Sequence, residues 1–127
     1  ALGGFSQGAI LALEAALQED GVAGRVLAFS GRFAQQPQAA PQRTTFHLFH
    51  GGADPVIPAD HARQALETLG QFRGDATLDI AEGIGHEIHP ALVSRLLFRL
   101  RNHIPARTWA EALGAAPPGS HPRELDD

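Results

Sequence analysis

Ser6 stands in Gly4-Phe5-Ser6-Gln7-Gly8, between an apolar stretch and a run of helical composition. A serine hydroxyl becomes a useful nucleophile only when a base can take its proton. A G-x-S-x-G turn at a strand-to-helix junction serves that chemistry, because it holds the hydroxyl on a tight, strained turn above the sheet. Side chains two residues to either side are expected to collide there, so Gly4 and Gly8 leave room. The helix that begins at the turn points the positive end of its dipole at the reacting centre. The same residues, taken alone, also describe a serine N-cap in a glycine-rich turn.

A second candidate lies in His50-Gly51-Gly52-Ala53-Asp54-Pro55-Val56-Ile57-Pro58, directly after a strand-like run. Asp54 there can orient a histidine and fix its tautomer, although an Asp-Pro pair alone marks only a turn. A third is Glu82-Gly83-Ile84-Gly85-His86-Glu87, where His86 sits in a glycine-flanked loop with freedom to act as a general base. One histidine among seven is a weak signal. The combination is stronger: Ser6, Asp54 and His86 each follow a different strand, in the order nucleophile, acid, base.

The elements that must position these residues alternate strand-like and helix-like segments, the pattern of an α/β protein with a mainly parallel sheet. Residues 1–5 read as a strand, and 6–19 as a helix apolar on nearly every side and so buried among several neighbours. Arg25 to Phe33 holds the apolar run Val26-Leu27-Ala28-Phe29 of a central strand, and 34–43 form a loop. Thr44 to Phe49 is the next strand, Ala59 to Phe72 a helix, and Ala76 to Ala81 a fourth strand. Pro90 opens a helix whose Leu92, Val93, Leu96, Leu97, Leu100 and Ile104 share a stripe. Arg95, Arg99, Arg101 and Asn102 are expected on its solvated face. A short helix around Arg107 to Leu113 carries Trp109, and a disordered tail is expected from residue 115. Functional loops in such sheets lie at the carboxyl ends of the strands, where all three candidates fall.

Gly4-Phe5-Ser6-Gln7-Gly8-Ala9, His50-Gly51 with Asp54-Pro55-Val56-Ile57-Pro58, and Gly85-His86 resemble the three motifs of the phospholipase/carboxylesterase family, which includes acyl-protein thioesterases and bacterial serine carboxylesterases. The resemblance runs from Ala1 to about Asn102. It implies Ser6 as nucleophile, His86 as base, Asp54 as orienting acid, and the backbone N–H of Gln7 as half of an oxyanion hole. It also implies hydrolysis of a small-molecule ester or thioester through an acyl-enzyme, with no cofactor. Family members carry further strands and helices ahead of the Gly4–Gly8 turn, the nucleophile elbow, including a loop that supplies the other oxyanion N–H. The expected fold is therefore the C-terminal half of an α/β-hydrolase, about four parallel strands with flanking helices in residues 1–114. A missing N-terminal half, or a second copy in a homo-oligomer, is expected along the open edge of the first strand. The alternative is a non-catalytic half-domain that pairs with another chain through that edge.

Composition narrows the field further. The 127 residues contain no cysteine, methionine or lysine, which excludes thiol nucleophiles, disulfides, thiolate metal sites, lysine Schiff bases and a P-loop lysine. The absent methionine and the elbow at residue 6 together point to a piece of a longer protein. A net charge of −4 with scattered arginines shows no nucleic-acid footprint. Apolar runs are too short or too interrupted for stable membrane insertion, and a cytoplasmic location is the default. A metal site using His86, His89 and nearby carboxylates is disfavoured, because His86-Glu87-Ile88-His89 lacks H-E-x-x-H spacing. His47 and His50 lie on a strand at a separation that turns them to opposite faces.

Overall fold

The computed structural model describes residues 1–115. The elements are β1 (Leu2–Phe5), α1 (Gln7–Gln18), β2 (Arg25–Phe29), β3 (Thr45–Gly51), α2 (Asp60–Gln71), β4 (Asp75–Ala81), α3 (Pro90–Asn102) and α4 (Ala106–Ala115). Ala115 closes α4, and the remainder of the expected tail lies outside the described residues.

The four strands form one parallel sheet in the order β1-β2-β3-β4, which leaves β1 at an edge. Period-two alternation decides which face each side chain joins. Val26, Ala28, Phe46 and Leu48 point to one face, where Ala9, Ala12, Leu13 and Ala16 of α1 and Ala65 and Leu69 of α2 cover them. Phe29 and Phe49 point to the other face, stack with centroids 4.6 Å apart, and pack against Leu92 of α3. Helices thus lie on both faces of the sheet.

Three local expectations are corrected. β2 ends at Phe29 rather than Phe33, because Ser30 takes the left-handed conformation (φ 56°). Among the described residues α1 turns Ala9, Ala12, Leu13 and Ala16 to the sheet, with Leu11 on the opposite side. In α3 the expected apolar stripe divides: Leu92 and Leu96 pack inward, while Val93, Leu97 and Leu100 are exposed. Arg95 and Arg99 turn toward the sheet, Arg95 while staying partly exposed, because the mostly buried Asp79 of β4 draws both guanidinium groups, with Nε–O distances of 2.8 and 2.9 Å. Burial would raise the Asp79 carboxyl, but its hydrogen bonds from Arg99 and Arg95 prevail and hold it below the usual range.

Polar side chains also fill the α3 side of the sheet near the start of the strands. His47 of β3 meets Arg25 Nη1 at Nε2 (2.7 Å) and Thr77 Oγ1 at Nδ1 (2.7 Å), and its ring abuts His103. Asp75 accepts from Thr45 Oγ1 and from the Ala106 N–H, and its Oδ1 lies 3.1 Å from His103 Nε2, tying the segment after α3 to the sheet. No described helix is long and apolar enough to cross a membrane.

Burial, followed by the charge of Arg25 and the neighbouring His103, lowers His47 to about 4 from 6.5. The unfolded chain therefore takes up a proton below about pH 6.5 that the folded chain refuses until about pH 4, so stability falls as pH drops across that interval. By pH 5 this linkage amounts to about 2 kcal/mol. Thermal melts check it: between pH 7 and pH 5 the wild-type melting temperature should fall further than that of His47→Gln. Equal falls would count against a neutral, buried His47.

Candidate active site

Ser6 occupies the junction between β1 and α1 with φ 57° and ψ −116°, a conformation that costs a non-glycine residue about 1–3 kcal/mol. Its N–H donates to Phe29 O at 2.9 Å, and its C=O accepts from the Ile10 N–H at 3.1 Å, so both ends of the strained residue are tied down. Its side chain makes no capping bond to α1. The hydroxyl turns instead toward the loop after β4.

Gly4 and Gly8 contribute unequally to this turn. A Cβ on Gly4 would run into the backbone of Gly8 and Ala9, so the close approach of β1 to the first turn of α1 excludes any side chain there. A Cβ on Gly8 would meet no described atom within 4 Å, because that residue faces outward at the start of the helix. The expected collision is one-sided.

The structure brings Ser6, His86 and Asp54 into one hydrogen-bonded chain. His86 Nε2 lies 2.8 Å from Ser6 Oγ, and His86 Nδ1 lies 2.7 Å from Asp54 Oδ2. A carboxylate only accepts, so Nδ1 carries the proton and Nε2 is left to accept from the serine hydroxyl. Phe5 packs its ring 4.9 Å from the imidazole.

Asp54 is buried while His86 is partly open to solvent. Asp54 Oδ1 accepts from the Val56 N–H at 2.8 Å and the Ile57 N–H at 2.9 Å. Burial alone would raise this carboxyl. The His86 hydrogen bond, the Ile57 and Val56 N–H groups and the His86 charge outweigh it and hold Asp54 below the usual range. The aspartate is thus kept ionised, as a partner for an imidazolium should be.

Two contacts that the motifs did not reveal lock the aspartate and histidine loops together. The Ala53 N–H donates to Ile84 O at 2.9 Å, and the Gly52 N–H donates to Ala81 O at 2.8 Å. A Cβ on Gly51 would collide with the carbonyl groups of Ile84 and Gly85. The Gly51-Gly52 pair signals a turn in the sequence, but its tighter demand is this close approach.

Gln7 is the first residue of α1, so its N–H has no carbonyl within the helix to bond and remains available beside Ser6. An open groove of about 390 Å³ is lined by Gln7, Ile10, Leu11 and Arg32. Three other histidines have separate tasks. His47 lies in the polar cluster under α3, His50 Nε2 lies 2.6 Å from Ile57 O, and His89 Nδ1 accepts from the Ala91 N–H to cap α3. Among the described residues no group of three histidine, aspartate or glutamate side chains is placed to hold a metal ion.

Comparison with known proteins gives the same direction. Residues 1–104 match the family described as Phospholipase/Carboxylesterase. Esterase YpfH of Escherichia coli K12 is 50% identical over 119 residues, which cover 94% of this chain and 51% of that protein. Acyl-protein thioesterase 1 of Gibberella zeae is 30% identical over 114 residues, covering 84% of this chain and 48% of that protein. The crystal structure of esterase PE8 superposes with a TM-score of 0.66 at 34% identity, covering 76% of this chain and 46% of that one. The chain thus spans about half the length of the curated relatives it matches. Its sheet and flanking helices are part of an α/β-hydrolase fold, and the chain belongs to the phospholipase/carboxylesterase family.

Proposed function

We propose that this chain carries the catalytic triad of a serine hydrolase that cleaves carboxylic esters or thioesters through an acyl-enzyme. The observation that carries the reading is the chain of hydrogen bonds Ser6–His86–Asp54 at 2.8 and 2.7 Å. Ser6 Oγ attacks the acyl carbonyl as His86 Nε2 takes its proton, and Asp54 stabilises the imidazolium that forms. The tetrahedral oxyanion is met by the Gln7 N–H at the positive end of α1. Collapse expels the alcohol or thiol, which leaves with the proton from His86. A water deprotonated by His86 then attacks the acyl-Ser6 ester, and the acid departs with Ser6 regenerated. No step requires a cofactor.

The esterase and thioesterase names of the relatives support the substrate class. In a protein of the relatives' length, the second oxyanion donor comes from outside these residues. The alternative reading is a non-catalytic half-domain that pairs with another chain along β1, the outermost described strand on that side.

Labelling with a fluorophosphonate separates the two readings. The expected result is one adduct per chain on Ser6, with His86→Ala abolishing it and Asp54→Asn slowing it on the order of 10⁴-fold. Absence of an adduct, even with the remaining half of a relative-length chain supplied, would sink the hydrolase reading. The elbow gives a further contrast. Gly4→Ala should cost about 1–3 kcal/mol through forced backbone displacement, whereas Gly8→Ala should leave stability unchanged or raise it by up to about 1 kcal/mol. Urea denaturation midpoints of the two variants check this, and equal losses would contradict the one-sided packing.

A further inference from the structure

His50 is a buried titratable side chain that the reaction above does not use. It stands near the end of β3, 1% exposed, beside Ile80 of β4 in the ladder. Its Nε2 lies 2.6 Å from Ile57 O and 3.5 Å from Asp54 Oδ2. That carboxylate oxygen is the one that receives His86 Nδ1. A carbonyl oxygen only accepts, so His50 carries its proton on Nε2 and donates it to Ile57.

We propose that His50 is a positioning residue for the aspartate–histidine pair: its Nε2–H anchors the Asp54–Ile57 turn to the sheet and so fixes where the carboxylate meets His86. Ile57 is held at both ends, its N–H by Asp54 Oδ1 at 2.9 Å and its C=O by His50 at 2.6 Å. The bond from Asp54 is internal to the turn and moves with it. The bond from His50 connects the turn to a strand paired on both sides, so it sets the position of the turn and not only its shape. The same N–H lies close enough to Oδ2 to face its negative charge, leaving His86 as the nearer donor on that oxygen. Loss of the anchor would let Asp54 shift while the local turn survived, and a displacement of about 1 Å in such a constellation costs on the order of 100-fold in rate.

The role of His50 in the reaction rests on the hydrolase reading, but its positioning can be tested without any reaction. Long-range ¹H–¹⁵N spectra of the imidazoles in the wild-type chain should show His50 as the Nε2–H tautomer and a strongly downfield His86 Nδ1 proton. An Nδ1–H tautomer at His50 would overturn the proposal. His50→Leu should lose the downfield His86 resonance and slow fluorophosphonate labelling of Ser6 about 10- to 100-fold. His50→Gln, which keeps a donor, should retain the resonance and recover most of the labelling rate. A purely structural role would lower the melting temperature of His50→Leu yet leave the His86 resonance and the labelling rate unchanged, and that result would overturn the proposal. Should His50→Leu fail to fold, a folded His50→Gln variant without the resonance would overturn it equally. If wild-type Ser6 is not labelled even with the remaining half of a relative-length chain supplied, the hydrolase reading fails, and the spectra still decide the positioning.

Discussion

Asp54 is a carboxylate taken out of water, and much of the architecture at the carboxyl ends of the strands supplies donors to it. An ionised carboxylate left unpaired in the interior is expensive enough to protonate or to unfold its surroundings. Here one oxygen takes the Val56 and Ile57 N–H groups and the other takes His86, with His50 close by. These donors also dictate geometry. The two backbone bonds force a tight turn after Pro55, and the imidazole bond fixes which nitrogen of His86 is left to face Ser6. The charge that orients the histidine and the shape of the loop that carries it are one requirement.

β3 carries two buried anchors, on opposite faces. His47 and His50 are both buried histidines on one strand, and alternation sends them to different neighbourhoods. His47 joins Arg25, Thr77 and His103 under α3, where its partners hold the segment after that helix against the sheet. His50 holds the aspartate turn. Two similar residues thus serve two ends of the molecule, and neither is spaced with the other to share a ligand.

The site was more legible in the sequence than the helix faces were, for a physical reason. Ser6, Asp54 and His86 lie in short turns whose residue types answer to local backbone demands, so glycine and proline mark them. Which side of α1 meets the sheet is not marked in this way, because Leu11 and Leu13 are equally apolar and only the small residues Ala9, Ala12 and Ala16 align with Leu13 on the buried face. Arg95 and Arg99 read as a solvated face for the complementary reason. Their partner, Asp79, is distant in sequence and becomes a neighbour only once α3 has crossed the sheet. Gly8 differs in a third way: the motif treats its two glycines alike, while packing among the described residues requires only Gly4 to be bare.

Strand order sets the last constraint. β4 lies three strand spacings from β1, about 14 Å. A histidine that follows β4 can reach a serine that follows β1 only if its loop is carried back across the ends of β3 and β2. The aspartate turn after β3 lies under that crossing and supports it, through Ala53 N–H to Ile84 O and the close approach of Gly51 to the Ile84 and Gly85 carbonyls. β2 must also turn aside, which it does at Ser30, whose left-handed conformation is held by its N–H bond to Phe49 O at 2.8 Å. Phe5 then receives the imidazole at the far end of its reach. The strain at Ser6, the bend at Ser30 and the bare backbone at Gly51 are therefore consequences of one topology: Ser6, Asp54 and His86 follow strands one, three and four of a parallel sheet.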